Sequence, residues 1–231
     1  MRFSCAFFDF DGTVADTKAD VWESLEFAAE CMGAKFPEQF RSNPAYLALS
    51  SDALYGYAVP ALPEGGQQQF AQLVAEHYRH RNPFSHTALF PGIEKLLQRC
   101  ARERMPCYIV TNKPAEPLEK ILIEKGWAHY FGGWLCPDSI PGRALSKPEM
   151  IHRLLREHPV QGRPVLIGDT FSDIAAAKEC GVDSVGVLYG DGEPSLVLRE
   201  KPEFVAESPE EIENILFPEE REENCKGASE F

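Results

Sequence analysis

Basic groups are scarce in this chain. Its 23 Lys and Arg stand against 36 Asp and Glu, a formal net charge of −13 over 231 residues. That balance argues against a nucleic-acid or anionic-membrane surface, since both call for basic patches. Part of the excess lies at the C-terminal end (Glu207, Glu210, Glu211, Glu213, Glu219, Glu220, Glu222, Glu223), so the rest of the chain is less acidic than the total suggests. Long apolar runs are absent too. Residues 3–8 are too short for a signal-peptide core, and no stretch approaches the ~18 apolar residues that span a bilayer. The 7 cysteines are odd in number and scattered singly, without a CxxC pair or Cys/His zinc spacing. No Asn-x-Ser/Thr acceptor, phosphate-cradling GxxxxGK[ST] loop or internal repeat occurs. A reducing cytoplasm is the economical reading, and nucleotide-driven chemistry of the P-loop kind is disfavoured.

The chain does have enough apolar residues for a good-sized core with a smaller second unit: 44% are hydrophobic and 26% charged. Its most informative stretch is FFDFDGTVADT at residues 7–17. A short apolar run ends abruptly at Asp9 and Asp11, followed by Gly12 and Thr13. Side chains at i and i+2 of an extended segment point the same way. Both carboxylates are therefore expected to converge beyond a strand's C-terminal end, where open α/β sheets place their ligands. Paired carboxylates disfavour each other's charge unless a cation neutralises them, and oxygen ligands suit Mg2+. Gly12 permits a sharp turn immediately afterwards. Read only as a turn, the same four residues are a polar exit from a strand.

Further along, apolar spacing predicts a helix over residues 18–33, capped by Asp16 or Thr17 and stopped by Gly33. Another is expected around residues 45–57 and a polar one over 64–81, with Phe70, Leu73, Val74, His77 and Tyr78 on one face. No convincing strand stands between Val14 and Phe84, so this region reads as a helical insertion. After Pro91-Gly92 come a helix, a buried-looking strand at 107–110, a helix ending near Gly126 and a weak strand within 132–137. A helix over 147–158, a strand at 165–167, a helix over 174–180 stopped by Gly181, strands at 184–188 and 204–206, and a last helix capped by Ser208 complete the pattern. Strands alternating with helices imply βαβ units and a parallel sheet. The late YGDGEP (189–194) reads as a turn-like cluster, not a dinucleotide fingerprint.

Two other strand ends and one helix start carry polar groups. Thr111-Asn112 offers neutral donors suited to phosphoryl oxygens, though a helix cap or Asx turn explains the pair as well. Lys147 precedes Pro148 at a helix start, where the dipole disfavours it; it is either a solvated lysine or the partner of a carboxylate and a phosphate. GDTFSD (168–173) puts Asp169 at a strand end, and Asp173 either caps the next helix or supports a metal.

Together, DFDGTVADT, IVTNKP, LSKPEM and GDTFSD stand in the order of the four motifs of the haloacid dehalogenase-like hydrolase superfamily. The chain resembles that family's phosphoglycolate-phosphatase-like branch from about residue 3 to 190. The resemblance implies an α/β fold, a Rossmann-like parallel sheet core with helices on both faces plus a small α-helical cap. The core is expected at 1–14 and 85–217, the cap at 15–84, and an acidic, disordered tail at 218–231. It further implies a Mg2+-dependent phosphomonoester hydrolase, with Asp9 as nucleophile and Asp11 as general acid and base. Thr111 and Lys147 would stabilise the transition state, and Gly12, Asn112, Thr111 and Lys147 would bind phosphate. Asp9, Asp11 (through its carbonyl) and Asp169 would hold the metal, with Asp173 acting indirectly. A small phosphorylated metabolite is the expected partner. A β-phosphoglucomutase-like phosphotransferase, a nucleotidase and a pyrophosphatase share such a site, and a non-catalytic binding module shares the fold alone.

Overall fold

A computed structural model of the chain describes residues 1–34 and 66–218. At its centre lies β1 (Cys5–Phe8), buried along its whole length. It is followed by β2 (Ala15–Asp16), α1 (Lys18–Cys31), α2 (Gly66–Glu76), β3 (Ala88–Leu89), α3 (Ile93–Arg102) and β4 (Cys107–Val110). Next come α4 (Ala115–Glu124), β5 (Trp134–Leu135), α5 (Lys147–Glu157), β6 (Pro164–Gly168) and α6 (Phe171–Cys180). The described chain closes with β7 (Asp183–Val187), α7 (Pro194–Arg199), β8 (Phe204–Ala206) and α8 (Pro209–Leu216).

Six strands form one sheet in the order β5-β4-β1-β6-β7-β8, and every neighbouring pair is parallel. Phe7 stands between Tyr108 of β4 and Leu166 of β6. Period-two alternation sorts the strand residues onto two faces. Ala6, Phe8, Ile109, Val165, Ile167 and Val185 pack with Leu96 and Leu97 of α3, Ile121 of α4 and Ile212 of α8. Cys5, Phe7, Val110 and Leu166 pack on the other side with Met150, Ile151 and Leu154 of α5 and Ala177 of α6. Helices therefore cover both faces, as a parallel sheet requires. Full burial of Phe7 and Phe8 contributes about 2–3 kcal/mol each, so β1 is anchored from both sides.

A third apolar cluster, formed by Trp22, Leu25, Ala28 and Ala29 of α1 with Phe70 and Val74 of α2, lies apart from the two sheet cores. The polar helix expected to run to residue 81 stays α-helical only to Glu76. From His77 to Arg81 it widens into a π turn, and Asn82 N–H donates to the His77 carbonyl at 2.8 Å. The helix expected at 45–57 and the tail beyond 218 lie outside the described residues.

One expectation is overturned. Ala15–Asp16 is a strand, paired antiparallel with Ala88–Leu89 in the register Ala15↔Leu89 and Asp16↔Ala88. A two-residue ladder leaves no periodic signal, and it forms here because both crossings between the helical pair and the sheet run side by side. Asp20 reinforces the crossing. Its buried carboxylate accepts from Thr87 Oγ1 at 2.6 Å and from His86 N–H at 3.3 Å. The short α7 was likewise not anticipated.

Candidate active site

The strand order sets the site. The strand following β1 in the sheet sequence, β4, lies on one side of β1, and β6 lies on the other. Such a reversal opens a crevice at the carboxyl ends of the strands. Asp9 follows β1, Thr111 follows β4 and Asp169 follows β6.

Asp9 N–H continues the ladder by donating to Ile167 O at 2.9 Å. Its carboxylate Oδ1 accepts from Phe10 N–H at 2.8 Å, and Oδ2 is 2.9 Å from Lys147 Nζ. Lys147 is the first residue of α5. That helix start is secured by a reciprocal cap, in which Glu149 Oε2 accepts from Ser146 N–H at 2.8 Å and Ser146 Oγ accepts from Glu149 N–H. A cation is unfavourable at this end of a helix, but the Lys147 ammonium is ion-paired to both Asp9 and Asp173. Burial works against its charge, yet the Asp173 and Asp9 carboxylates outweigh burial and hold the ammonium above its ordinary range.

Asp173, fully buried, uses both oxygens. Oδ1 pairs with Lys147, while Oδ2 accepts from Thr170 N–H at 3.0 Å and Thr170 Oγ1 at 2.5 Å. It therefore both caps α6 and holds the lysine. Asp169 is held just as firmly. Oδ1 accepts from Thr13 Oγ1 at 3.0 Å, and Oδ2 from the N–H groups of Asp191 and Gly192 at 2.8 and 3.0 Å. Gly12 turns with φ +78°, and a Cβ there would lie 2.2 Å from Asp169 Oδ2, so the turn after β1 requires glycine.

Three carboxylates, Asp9, Asp169 and Asp173, offer oxygens all within 4.8 Å of one another. Burial is the main cause that pushes Asp9 up to about 6, with Lys147 opposing and Asp173 adding to the rise. Burial and then the Asp9 and Asp173 charges push Asp169 up to about 7, against the Gly192 and Asp191 N–H groups. An all-oxygen donor set of carboxylates that suppress one another's charge fits a hard divalent cation such as Mg2+.

Asp11 stands outside this cluster. Its Oδ1 accepts from Thr17 Oγ1 at 2.6 Å and from Lys113 Nζ at 2.8 Å. Thr111 is buried, its Oγ1 accepting from Lys113 N–H at 3.2 Å. Asn112 is exposed and borders a cleft of about 350 Å³ with Arg79, Pro114 and residues 137–138 and 140–144. So Asp9, Lys147, Asp169 and Asp173 meet directly, Gly12 packs on Asp169, and Asp11 and Thr111 join through Lys113.

Sequence reasoning missed Thr13, Lys113 and the 189–192 segment. YGDGEP is not merely a turn: it supplies both N–H groups that grip Asp169. A Cβ on Gly192 would lie 2.0 Å from Asp169 O, and one on Gly190 would lie 2.3 Å from Gly12 O. The paired glycines were the available signal for that close approach.

The arrangement has a consequence for stability. Groups whose folded pKa is raised contribute stability that is full below the unfolded aspartate value of ~3.9 and is lost as pH rises through the folded values. For Asp9 and Asp169 that window closes near 6 and 7. A divalent cation that neutralises the cluster should therefore stabilise the fold more at pH 8 than at pH 5.5. Melting temperatures with 10 mM Mg2+ and with EDTA at the two pH values test this. An equal or larger Mg2+ shift at pH 5.5 would contradict it.

An open parallel sheet with buried carboxylates and a buried lysine at its carboxyl edge defines an α/β protein with a polar ligand site at the strand ends. Comparison with known proteins narrows this: the model of the haloacid dehalogenase-like hydrolase family matches residues 6–187, and the chain belongs to that family. It is 29% identical over 220 residues to a phosphoglycolate phosphatase of Vibrio parahaemolyticus, covering 90% of this chain and 94% of that protein. A phosphoglycolate phosphatase of Vibrio vulnificus is 28% identical over 219 residues, covering 91% and 94%. Among solved structures, a haloacid dehalogenase-like family hydrolase from Streptococcus pneumoniae superimposes with a TM-score of 0.80 at 23% identity, covering 93% of this chain and 99% of that one. Among the described residues, no helix is long and apolar enough to cross a membrane.

Proposed function

We propose that this phosphoric monoester hydrolase releases phosphate from a small phosphorylated metabolite, of the phosphoglycolate kind, through an aspartyl-phosphate on Asp9. The observation that carries the proposal is the Lys147 ammonium locked between Asp9 and Asp173 beside Asp169. It leaves Asp9 at the end of the central strand, with a cation at its carboxylate and Asp11 two residues away.

Asp9, Asp169 and the Asp11 carbonyl would hold Mg2+, with Asp173 behind them through Lys147. When bound, Mg2+ would supply the positive charge that lets a phosphate approach a carboxylate. A carboxylate oxygen of Asp9 attacks phosphorus and the P–O ester bond breaks. The departing alkoxide takes a proton from the Asp11 carboxyl. A water then attacks the phosphorus of the aspartyl-phosphate and gives its proton to the Asp11 carboxylate. The Asp9–phosphorus bond breaks, returning Asp9 and inorganic phosphate. Lys147 and Thr111 stabilise the charge spread over the transferring group, and Gly12 and Asn112 add donors around the phosphate. The helical pair within 15–84 acts as a cap over this edge, excluding water and contacting the rest of the substrate.

Phosphate release from a panel of phosphoglycolate, sugar phosphates and nucleotides, with Mg2+ and with EDTA, tests this. Metal-dependent release at the rate of substrate loss is the expected result. Substrate loss without phosphate release would indicate phosphotransfer instead, and no turnover of any ester in folded protein with Mg2+ would remove the proposal.

A further inference from the structure

Lys113 has no part in the steps above, yet its ammonium is completely shielded from solvent. It lies among three aromatic rings, 5.7 Å from the centre of Phe10, 4.9 Å from Tyr78 and 5.9 Å from Phe84. Taking an ammonium out of water is costly unless it is paired, and an apolar side chain would fill such a cage without that cost. Among the described residues its ammonium has two hydrogen-bond partners. Nζ donates to Asp11 Oδ1 at 2.8 Å and to the Tyr78 hydroxyl. Burial disfavours the Lys113 charge, but the neighbouring Asp11 and Tyr78 more than compensate and hold it ionised. Asp11 Oδ1 also accepts from Thr17 Oγ1 at 2.6 Å, whereas Oδ2 has no hydrogen bond to a described residue. One oxygen of Asp11 is thus clamped from two sides and the other is left free to carry a proton.

We infer that Lys113 is the positioning residue for Asp11, gripping Oδ1 so that Oδ2 serves the proton transfers, and that Tyr78 makes this grip depend on the seated helical pair. Tyr78 belongs to the π turn of residues His77–Arg81, a departure from α geometry of the sort often found at functional sites. The same turn is tied to the sheet domain by Arg79 with Asp138 at 3.0 Å and His80 with Glu116 at 3.1 Å. Tyr78 also packs edge-on against Phe84, with ring centres 5.3 Å apart. Lifting the turn away would withdraw the hydroxyl from Lys113 and open the cage to water. Asp11 is then fully oriented only when the pair sits on the sheet edge. The inference rests on Asp11 acting as acid and base in the proposed reaction.

The test separates the two chemical steps with p-nitrophenyl phosphate and Mg2+. p-Nitrophenolate leaves without protonation, so its first step does not need Asp11, whereas water attack on the aspartyl-phosphate does. In Lys113→Met the burst of p-nitrophenolate should keep a rate constant within about threefold of the unaltered enzyme. Steady-state phosphate release should fall roughly 10²-fold, with acid-quenched phosphoenzyme approaching one per active site. Tyr78→Phe, which keeps the ring, should show the same pattern with a roughly tenfold loss. A purely structural role would slow both steps alike, and either that result or unchanged kinetics in both variants overturns the inference. Should Lys113→Met not fold, Tyr78→Phe decides by the same criterion. Failure of the underlying reading looks different: the unaltered enzyme would yield no phosphoenzyme, and Asp9→Asn would retain turnover.

Discussion

Asp9→Asn is expected to abolish phosphate release while leaving the protein folded. Asparagine matches aspartate in size, and its amide oxygen can still accept from Phe10 N–H, the bond that aspartate makes at 2.8 Å. What it lacks is the anionic oxygen that the proposed reaction requires for attack on phosphorus. Loss of a nucleophile from a unit that acts together lowers kcat by about 10⁴-fold or more. The effect on stability runs the other way. Asp9 sits buried beside Asp169 and Asp173, and burial pushes its carboxyl up to about 6. An amide has no charge to desolvate, so in EDTA at pH 8 the variant should melt no lower than the unaltered protein. Lys147 keeps Asp173 as a partner in either case. Turnover of phosphoglycolate and a thermal melt give the two readings, with mass spectrometry to exclude deamidation. Full activity in the intact, undeamidated Asp9→Asn variant would refute the assignment of the nucleophile.

Lys147→Met should be costly to both activity and stability. The ammonium is buried, and it is the cation that meets both Asp9 and Asp173. Removing one member of a buried ion pair leaves the partner uncompensated, typically a loss of about 3–5 kcal/mol. Here two carboxylates are left, so the upper part of that range applies in EDTA at pH 8. For a chain of this size each kcal/mol shifts the melting temperature by roughly 2–4 °C, so a fall of about 10 °C or more is expected. The loss should shrink as pH falls from 8 towards about 6, because Asp9 is held down to about 6 only while Lys147 is present, and without the ammonium its carboxyl takes up a proton above that value. Activity should fall by roughly 10²–10³-fold through lost stabilisation of the transferring group. A variant that melts like the unaltered protein at pH 8 in EDTA would show that Lys147 does not compensate these charges.

Much of the fold was legible along the chain, for a physical reason. The strands at Cys107–Val110 and Phe204–Ala206 were anticipated with their observed bounds, because short apolar runs between turn residues carry their own signal. Gly181 ends α6 in the left-handed region at φ 65°, and Ser208 accepts from Glu211 N–H at the start of α8. These are local interactions, encoded within a few residues. The Ala15–Asp16 with Ala88–Leu89 ladder was not legible, since neither half has enough length to alternate.

The site divides along the same line. Asp9, Thr111, Lys147 and Asp169 stand out because each interrupts an apolar run or opens a helix, and a buried strand's polar terminus needs a reason wherever it occurs. Lys113 gave no such warning. A lysine after a turn reads as solvated, and it is buried only because Phe10, Tyr78 and Phe84 arrive from three separate segments. Asp191 and Gly192 are in the same position: their N–H groups acquire a role only when β7 brings their loop against Asp169. Residue order alone specified which groups end strands and which begin helices, because those choices depend on neighbours within a turn or two. Which oxygen of Asp11 is clamped, which amides hold Asp169, and which lysine answers which carboxylate depended on packing between distant segments, because burial and charge pairing exist only once those segments meet.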